Sequence, residues 1–312
     1  MNNGKPPVYS GDAKKALDAL APAGAAPLTL AALNALTLTV KDLGPQFSYR
    51  GVFLIEYGGP IAIVLAALLR PAAIFGAGSQ PLNVLAALTE AGMRAPVGTR
   101  AWNEFVQSSA IVLWVAHFAK RELETCGRGR SRDAALPERR RSQPPRLPPP
   151  RPSPRSLFVH KFSRSHMPLS NLFKNSIYYW GFAAAVAYPL VHPAFTAPSK
   201  AKVAIGAAVW LVSQATNFAV HWQLANMRGA EGDTARAPPG GPLFALVACP
   251  NYTAEVAGWV GWSLLSQVAA GYAFTFIGFA QMADWALKKL GGYKKDNAAW
   301  ARSRKALVPF LL

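Results

Sequence analysis

AKVAIGAAVWLVSQATNFAV, residues 201–220, decides the architecture. It carries a single charged side chain, Lys202. A helix of about 20 predominantly apolar residues is long enough to cross the hydrocarbon core of a bilayer. Working outward, five more stretches approach that length: 51–69, 105–119, 177–195, 242–269 and 270–287. The second is short in its apolar core. The fifth is long and is interrupted by Cys249-Pro250-Asn251. A weaker apolar run at 72–91 contains Gly and Pro and reads as a re-entrant helix. The fold class expected is all-α, a polytopic helical membrane protein with about six transmembrane helices.

The charges between these stretches are lopsided. With a cytoplasmic N-terminus, five of the 33 Lys and Arg fall on the far side: Arg70, Arg94, Arg100, Lys200 and Lys202. Lys and Arg accumulate in cytoplasmic loops, so both termini are expected in the cytoplasm. Composition agrees with a membrane protein. Hydrophobic residues make up 51% of the chain and charged ones 15%, against about 25% charged in a typical soluble domain. The net charge of +18 raises nucleic acid as a partner. The placement of the basic residues, between apolar spans and in one Arg/Pro-rich stretch, argues against it. Cys126 and Cys249 lie far apart, which gives no disulfide framework and no zinc site. Residues 1–50 hold no apolar signal-peptide core and only one Arg, Arg50, so targeting falls to the first span.

Residues 126–156 read CGRGRSRDAALPERRRSQPPRLPPPRPSPRS. Such a composition cannot bury enough apolar surface to order itself, and predicts disorder or local polyproline II. The readings open are a docking or anionic-lipid segment, a passive loop insertion, which costs little stability, and a gene-model artefact. The chain thus divides into an N-terminal cytoplasmic segment (1–50), the first membrane helices (51–125), the Arg/Pro-rich insertion (126–156) and a C-terminal membrane domain (157–312).

Ionisable and amide groups inside spans default to functional hypotheses. Glu56 lies in the first stretch, Asn251, Tyr252 and Glu255 in the fifth, and Asp284 late in the sixth. Asn217 and His221 end the fourth, spaced i, i+4 on one helix face, with Arg228 beyond them. Lys120 and Arg121 end the second, as phosphate ligands or as snorkelling anchors. Tyr57, Tyr178, Tyr179 and Trp180 read as interface-belt aromatics. No G-x-G-x-x-G motif follows a strand, so a nucleotide has to bind among helix ends.

Several longer motifs carry a resemblance. They are Lys41-Asp42-Leu43-Gly44, Glu56-Tyr57-Gly58-Gly59-Pro60, Phe158-Val159-His160-Lys161-Phe162-Ser163, Asn171-Leu172-Phe173-Lys174-Asn175, Tyr178-Tyr179-Trp180-Gly181-Phe182 and Cys249-Pro250-Asn251-Tyr252-Thr253. In these the chain resembles the trans-2-enoyl-CoA reductases. More distantly, in Ser303-Arg304-Lys305-Ala306-Leu307-Val308-Pro309-Phe310, it resembles the steroid 5-alpha-reductases. The likeness implies NADPH-dependent reduction of a trans-2-enoyl-CoA to the saturated acyl-CoA, the final step of very-long-chain fatty acid elongation at the endoplasmic reticulum. It implies Tyr252 and Glu56 as catalytic residues, and Lys120, Arg121, Asn217, His221, Arg228 and Asn251 as cofactor-binding residues. The implied partners are a very-long-chain enoyl-CoA, membrane lipid and the other elongation enzymes.

Three departures stand out. The Arg/Pro stretch separates Thr125 from Leu157, which are joined in relatives. Of the relatives' ubiquitin-like domain, only a strand at 36–40 is recognisable. His117 is followed by Phe118 where many relatives have tyrosine. The alternatives are a reductase of another lipid, sterol or polyprenal, and a non-catalytic membrane scaffold.

Overall fold

A computed structural model describes residues 45–126, 166–227 and 238–312. The fold is almost wholly helical. A two-stranded antiparallel ribbon, β1 (Gln46–Ser48) with β2 (His166–Pro168), opens it, in the register Phe47 opposite Met167. The ribbon sets two long helices going side by side: α1 (Tyr49–Ala67) and α6 (Leu169–Val191). The Ser48 hydroxyl caps α1 by accepting from the Gly51 amide, and the Leu169 amide donates to the Pro45 carbonyl as α6 begins. Gly59 lets the two helices approach, because a Cβ there would collide with the Trp180 indole.

The remaining long helices are α5 (Arg100–Cys126), α7 (Lys200–Met227), α8 (Pro250–Ser266) and α9 (Ala269–Asp296). Each apolar stretch of the sequence therefore overlaps one long helix. Between α1 and α5 lie three short helices, α2 (Ala72–Phe75), α3 (Val84–Ala87) and α4 (Glu90–Arg94). They replace the single re-entrant helix expected at 72–91. Gly76 and Gly78, both at positive φ, break the run.

The fifth stretch also departs from expectation. Pro250 lacks the N–H that an interior helical position needs and instead occupies the first turn, so α8 starts there. Residues ahead of it turn in a short 3₁₀ segment, Pro242–Phe244, and then pair with the C-terminal tail. The Ala248 and Cys249 amides donate to the Lys305 and Ala306 carbonyls at 2.8 and 3.1 Å. Arg304 ties the same tail down by donating to the Phe244 carbonyl at 2.6 Å. The tail follows α10 (Ala298–Arg302).

Helices α7 and α8 cross at Gly206 and Gly261. A Cβ at Gly206 would lie 2.5 Å from the Gly261 carbonyl, and one at Gly261 would lie 2.7 Å from the Gly206 carbonyl. Small residues at a crossing let backbones approach closely, which drives helix association in lipid. The core between α1, α5, α6, α8 and α9 is aromatic. Trp114, Trp259 and Phe274 pack with ring centroids 4.8–5.8 Å apart. The Trp262 indole donates to the Ala110 carbonyl at 2.8 Å.

One end of the bundle is closed by Arg70, which the sequence places in a loop but which is buried. Its guanidinium donates to the Val191 carbonyl at 2.7 Å and to the Gln107 side chain at 3.1 Å. This joins the ends of α1 and α6 to α5. Among the described residues, two helices, α1 and α7, are both long and apolar enough to cross a membrane. Ile177, Leu211, Val212 and Phe276 are exposed on the outside of the bundle. Apolar surface of that kind suits contact with lipid.

Candidate functional site

At the opposite end from Arg70, the last turns of α5 and α7 face the start of α8. Their side chains form a polar cluster above the aromatic core. Glu255, on α8, is its centre. One of its oxygens lies 3.1 Å from Nε2 of His117, and the other accepts from the Asn217 amide at 3.1 Å. Asn217 also donates to the Asn251 carbonyl at 3.0 Å, while its own side-chain oxygen accepts from Lys120. The Gln214 side-chain oxygen is shared by Lys120 at 3.4 Å and His117 at 3.3 Å.

One turn further out, Glu124 joins the same group. Its carboxylate lies 3.3 Å from Nδ1 of His221, 3.5 Å from the Lys120 ammonium and 3.7 Å from the Arg121 guanidinium. Burial opposes the charge of Glu124, which lies beyond the apolar stretch of α5. The His221 hydrogen bond and the charges of His221, Lys120 and Arg121 outweigh burial and hold the carboxyl down at about 2. Arg121 also donates to the Tyr57 hydroxyl at 3.1 Å. That contact fixes α1 against α5 and corrects the reading of Tyr57 as a belt aromatic: its ring is buried and its hydroxyl accepts from a guanidinium.

The helical period explains the convergence. His117, Lys120, Arg121 and Glu124 are spaced three and four apart and share one face of α5. Gln214, Asn217 and His221 repeat the spacing on α7, and Asn251 and Glu255 on α8. Among the described residues, the cluster sets two basic side chains, Lys120 and Arg121, against two carboxylates.

Five of the cofactor residues implied by sequence therefore come together: Lys120, Arg121, Asn217, His221 and Asn251. Asn251 contributes its backbone carbonyl. Arg228 lies outside the described residues, as does the Arg/Pro-rich stretch beyond Cys126. The two implied catalytic residues have partners outside the cluster. Glu56 is 2% exposed, and its carboxylate accepts from the Asn175 amide at 2.8 Å. Tyr252 faces α9, where its hydroxyl accepts from the Lys289 ammonium at 2.8 Å and its ring packs near Trp285.

Sequence reasoning assigned no role to His117, Glu124, Gln214, Glu255 or Lys289. Glu255 carried a signal as a carboxyl within a span. The others gain their meaning from contacts between helices.

Comparison with known proteins now fits this geometry. Residues 165–312 match the family described as 3-oxo-5-alpha-steroid 4-dehydrogenase. A Trypanosoma brucei brucei protein named as an enoyl-CoA reductase is 38% identical over 295 residues, covering 91% of this chain and 82% of that one. The very-long-chain enoyl-CoA reductase of Dictyostelium discoideum is 35% identical over 277 residues, covering 88% and 74%. A Caenorhabditis elegans protein named as a very-long-chain enoyl-CoA reductase is 36% identical over 282 residues, covering 88% and 75%. Sequence identity of this extent over most of both chains shows that the chain belongs to the enoyl-CoA reductase family.

Proposed function

We propose that the chain reduces the C2–C3 double bond of a very-long-chain trans-2-enoyl-CoA to give the saturated acyl-CoA, as the last step of the elongation cycle. The observation that carries this reading is the polar cluster of His117, Lys120, Asn217 and Glu255 at one end of an otherwise apolar bundle. A substrate with a polar thioester head and a long apolar tail matches that division. The wider architecture proposed is a six-span protein of the endoplasmic reticulum membrane with both termini in the cytoplasm, working beside the other elongation enzymes.

The residues of the cluster fit a nicotinamide cofactor. Side-chain amides at Gln214 and Asn217 match the donor and acceptor of a carboxamide, and Lys120 adds a cation beside them. Lys120, Arg121, Asn217, His221 and Asn251 would hold the cofactor, with Arg228 beyond the described residues. NADPH, when bound, supplies a hydride. Because the cations already face carboxylates, the cluster suits the uncharged end of the cofactor. Its phosphates then fall to exposed basic groups nearer solvent.

Hydride addition at C3 leaves negative charge on C2 and the thioester oxygen. Tyr252 gives its phenolic proton to C2. A phenol carries an O–H proton that it can give up as a general acid in the transition state. The Lys289 ammonium stabilises the phenolate that results and, being exposed, returns a proton to it from solvent. Glu56 is a positioning residue in this scheme: its carboxylate fixes the amide of Asn175. The match to the steroid family favours a steroid enone as the second substrate class.

Lys120→Met tests the cofactor assignment. It removes one charge and keeps the apolar stem. The expected result is a KM for NADPH raised about tenfold, the scale of one charge-assisted hydrogen bond, with a smaller change in kcat. An unchanged KM would return Lys120 to the role of a helix anchor.

A further inference from the structure

We propose that an apolar cavity low on the α5–α7 seam receives the methyl end of the acyl chain and sets the length of chain the protein prefers. This rests on the enoyl-CoA reading and extends it from the reacting head of the substrate to its tail. The cavity has a volume of about 440 Å³, within the range of about 300–1,000 Å³ usual for small-molecule pockets. Phe105, Val112 and Leu113 line it from α5, and Val203, Ala204 and Ala207 from α7.

Its position on the seam identifies the occupant. The same two helices carry the polar cluster at their other ends. On α5, Leu113 is one turn from His117, and on α7, Ala207 is two turns from Gln214. At about 1.5 Å per residue, Leu113 lies about 10 Å below Lys120 and Phe105 about 22 Å below it. A hydrocarbon core of about 30 Å is filled by two leaflets, so an ordinary membrane chain covers about 15 Å. A chain of that length, anchored at the cluster, enters the cavity without reaching its floor. A longer chain fills it.

The polar groups at the cavity are already engaged, as a methyl end requires. The Lys200 ammonium donates to the Arg94 carbonyl at 3.1 Å and lies 5.4 Å from the centre of the Trp102 ring. The Ser109 hydroxyl turns back to the Phe105 carbonyl at 2.8 Å. A hydrocarbon terminus needs no polar partner beyond these.

The test compares trans-2-octenoyl-CoA, whose chain ends above Leu113, with trans-2-hexacosenoyl-CoA, in the full-length protein and two variants. Ala207→Phe fills the cavity from α7, and Leu113→Ala enlarges it from α5. The expected result for Ala207→Phe is a fall in kcat/KM of about tenfold or more for the long substrate and less than about twofold for the short one, the scale of crowding an apolar pocket. Leu113→Ala should shift the ratio the other way. Equal losses at both lengths in Ala207→Phe, or no change at either, would overturn the assignment. Preserved reduction of the short substrate shows that the variant is folded. If the unaltered protein reduces neither thioester, the enoyl-CoA reading itself fails, and the cavity assignment falls with it.

Discussion

Tyr252→Phe is expected to lower turnover on an enoyl-CoA by roughly 10²-fold or more, the usual contribution of a general acid. The substitution removes one oxygen. The ring keeps its place near Trp285, so fold and NADPH affinity should hold. What disappears is the hydroxyl that accepts from Lys289 at 2.8 Å. Lys289→Met serves as the companion variant. It leaves the phenol in place and removes the group that stabilises the phenolate, so its loss of kcat should be smaller and should deepen as solution buffers become poorer proton donors. Turnover and NADPH binding measured on both variants decide the point. Near-normal turnover in Tyr252→Phe would show that the proton comes from another group.

Glu255→Leu is expected to destabilise the protein by about 3 kcal/mol or more, the cost of removing one partner from a buried charge pair. Glu255 is 14% exposed and is bound by both His117 and Asn217. Without its carboxylate, the Asn217 amide loses an acceptor and the Lys120 ammonium loses a neighbouring negative charge. Three helices meet through this residue, so the loss should appear as an earlier thermal transition in detergent and as faster inactivation. Glu255→Gln keeps the shape and an acceptor oxygen, and should recover part of the loss. A Leu variant as stable as the unaltered chain would mean that the cluster contributes little to holding α5, α7 and α8 together.

The long helices were legible because their signal is local. An apolar run needs no tertiary information to read as a helix, and α1, α5, α6, α7 and α9 each overlap one of the apolar stretches. The start of α8 was only half legible. Cys249-Pro250-Asn251 marked an interruption, but the pairing of Ala248 with Lys305 depends on a tail far along the chain. Arg70 shows the same limit. The residue counts as a loop charge in sequence, and its burial follows from carbonyls at the ends of other elements.

The site divides along similar lines. Asn217 and His221 could be paired on one face of α7 from their spacing alone. Lys120 and Arg121 could be placed at a helix end. That Lys120 meets Asn217, and His117 meets Glu255, is set by how far apart α5, α7 and α8 stand, and spacing within one helix does not encode that distance. Tyr252 and Glu56 were named from likeness, and the partners that give each a physical role, Lys289 and Asn175, lie on other helices.

The central claim is tested most directly by NADPH consumption in the purified protein, reconstituted in lipid, when trans-2-hexacosenoyl-CoA is added. The account predicts consumption that depends on the thioester, with one saturated acyl-CoA formed for each NADPH oxidised. Consumption with a steroid enone but none with the enoyl thioester, in protein shown to be folded, would contradict it.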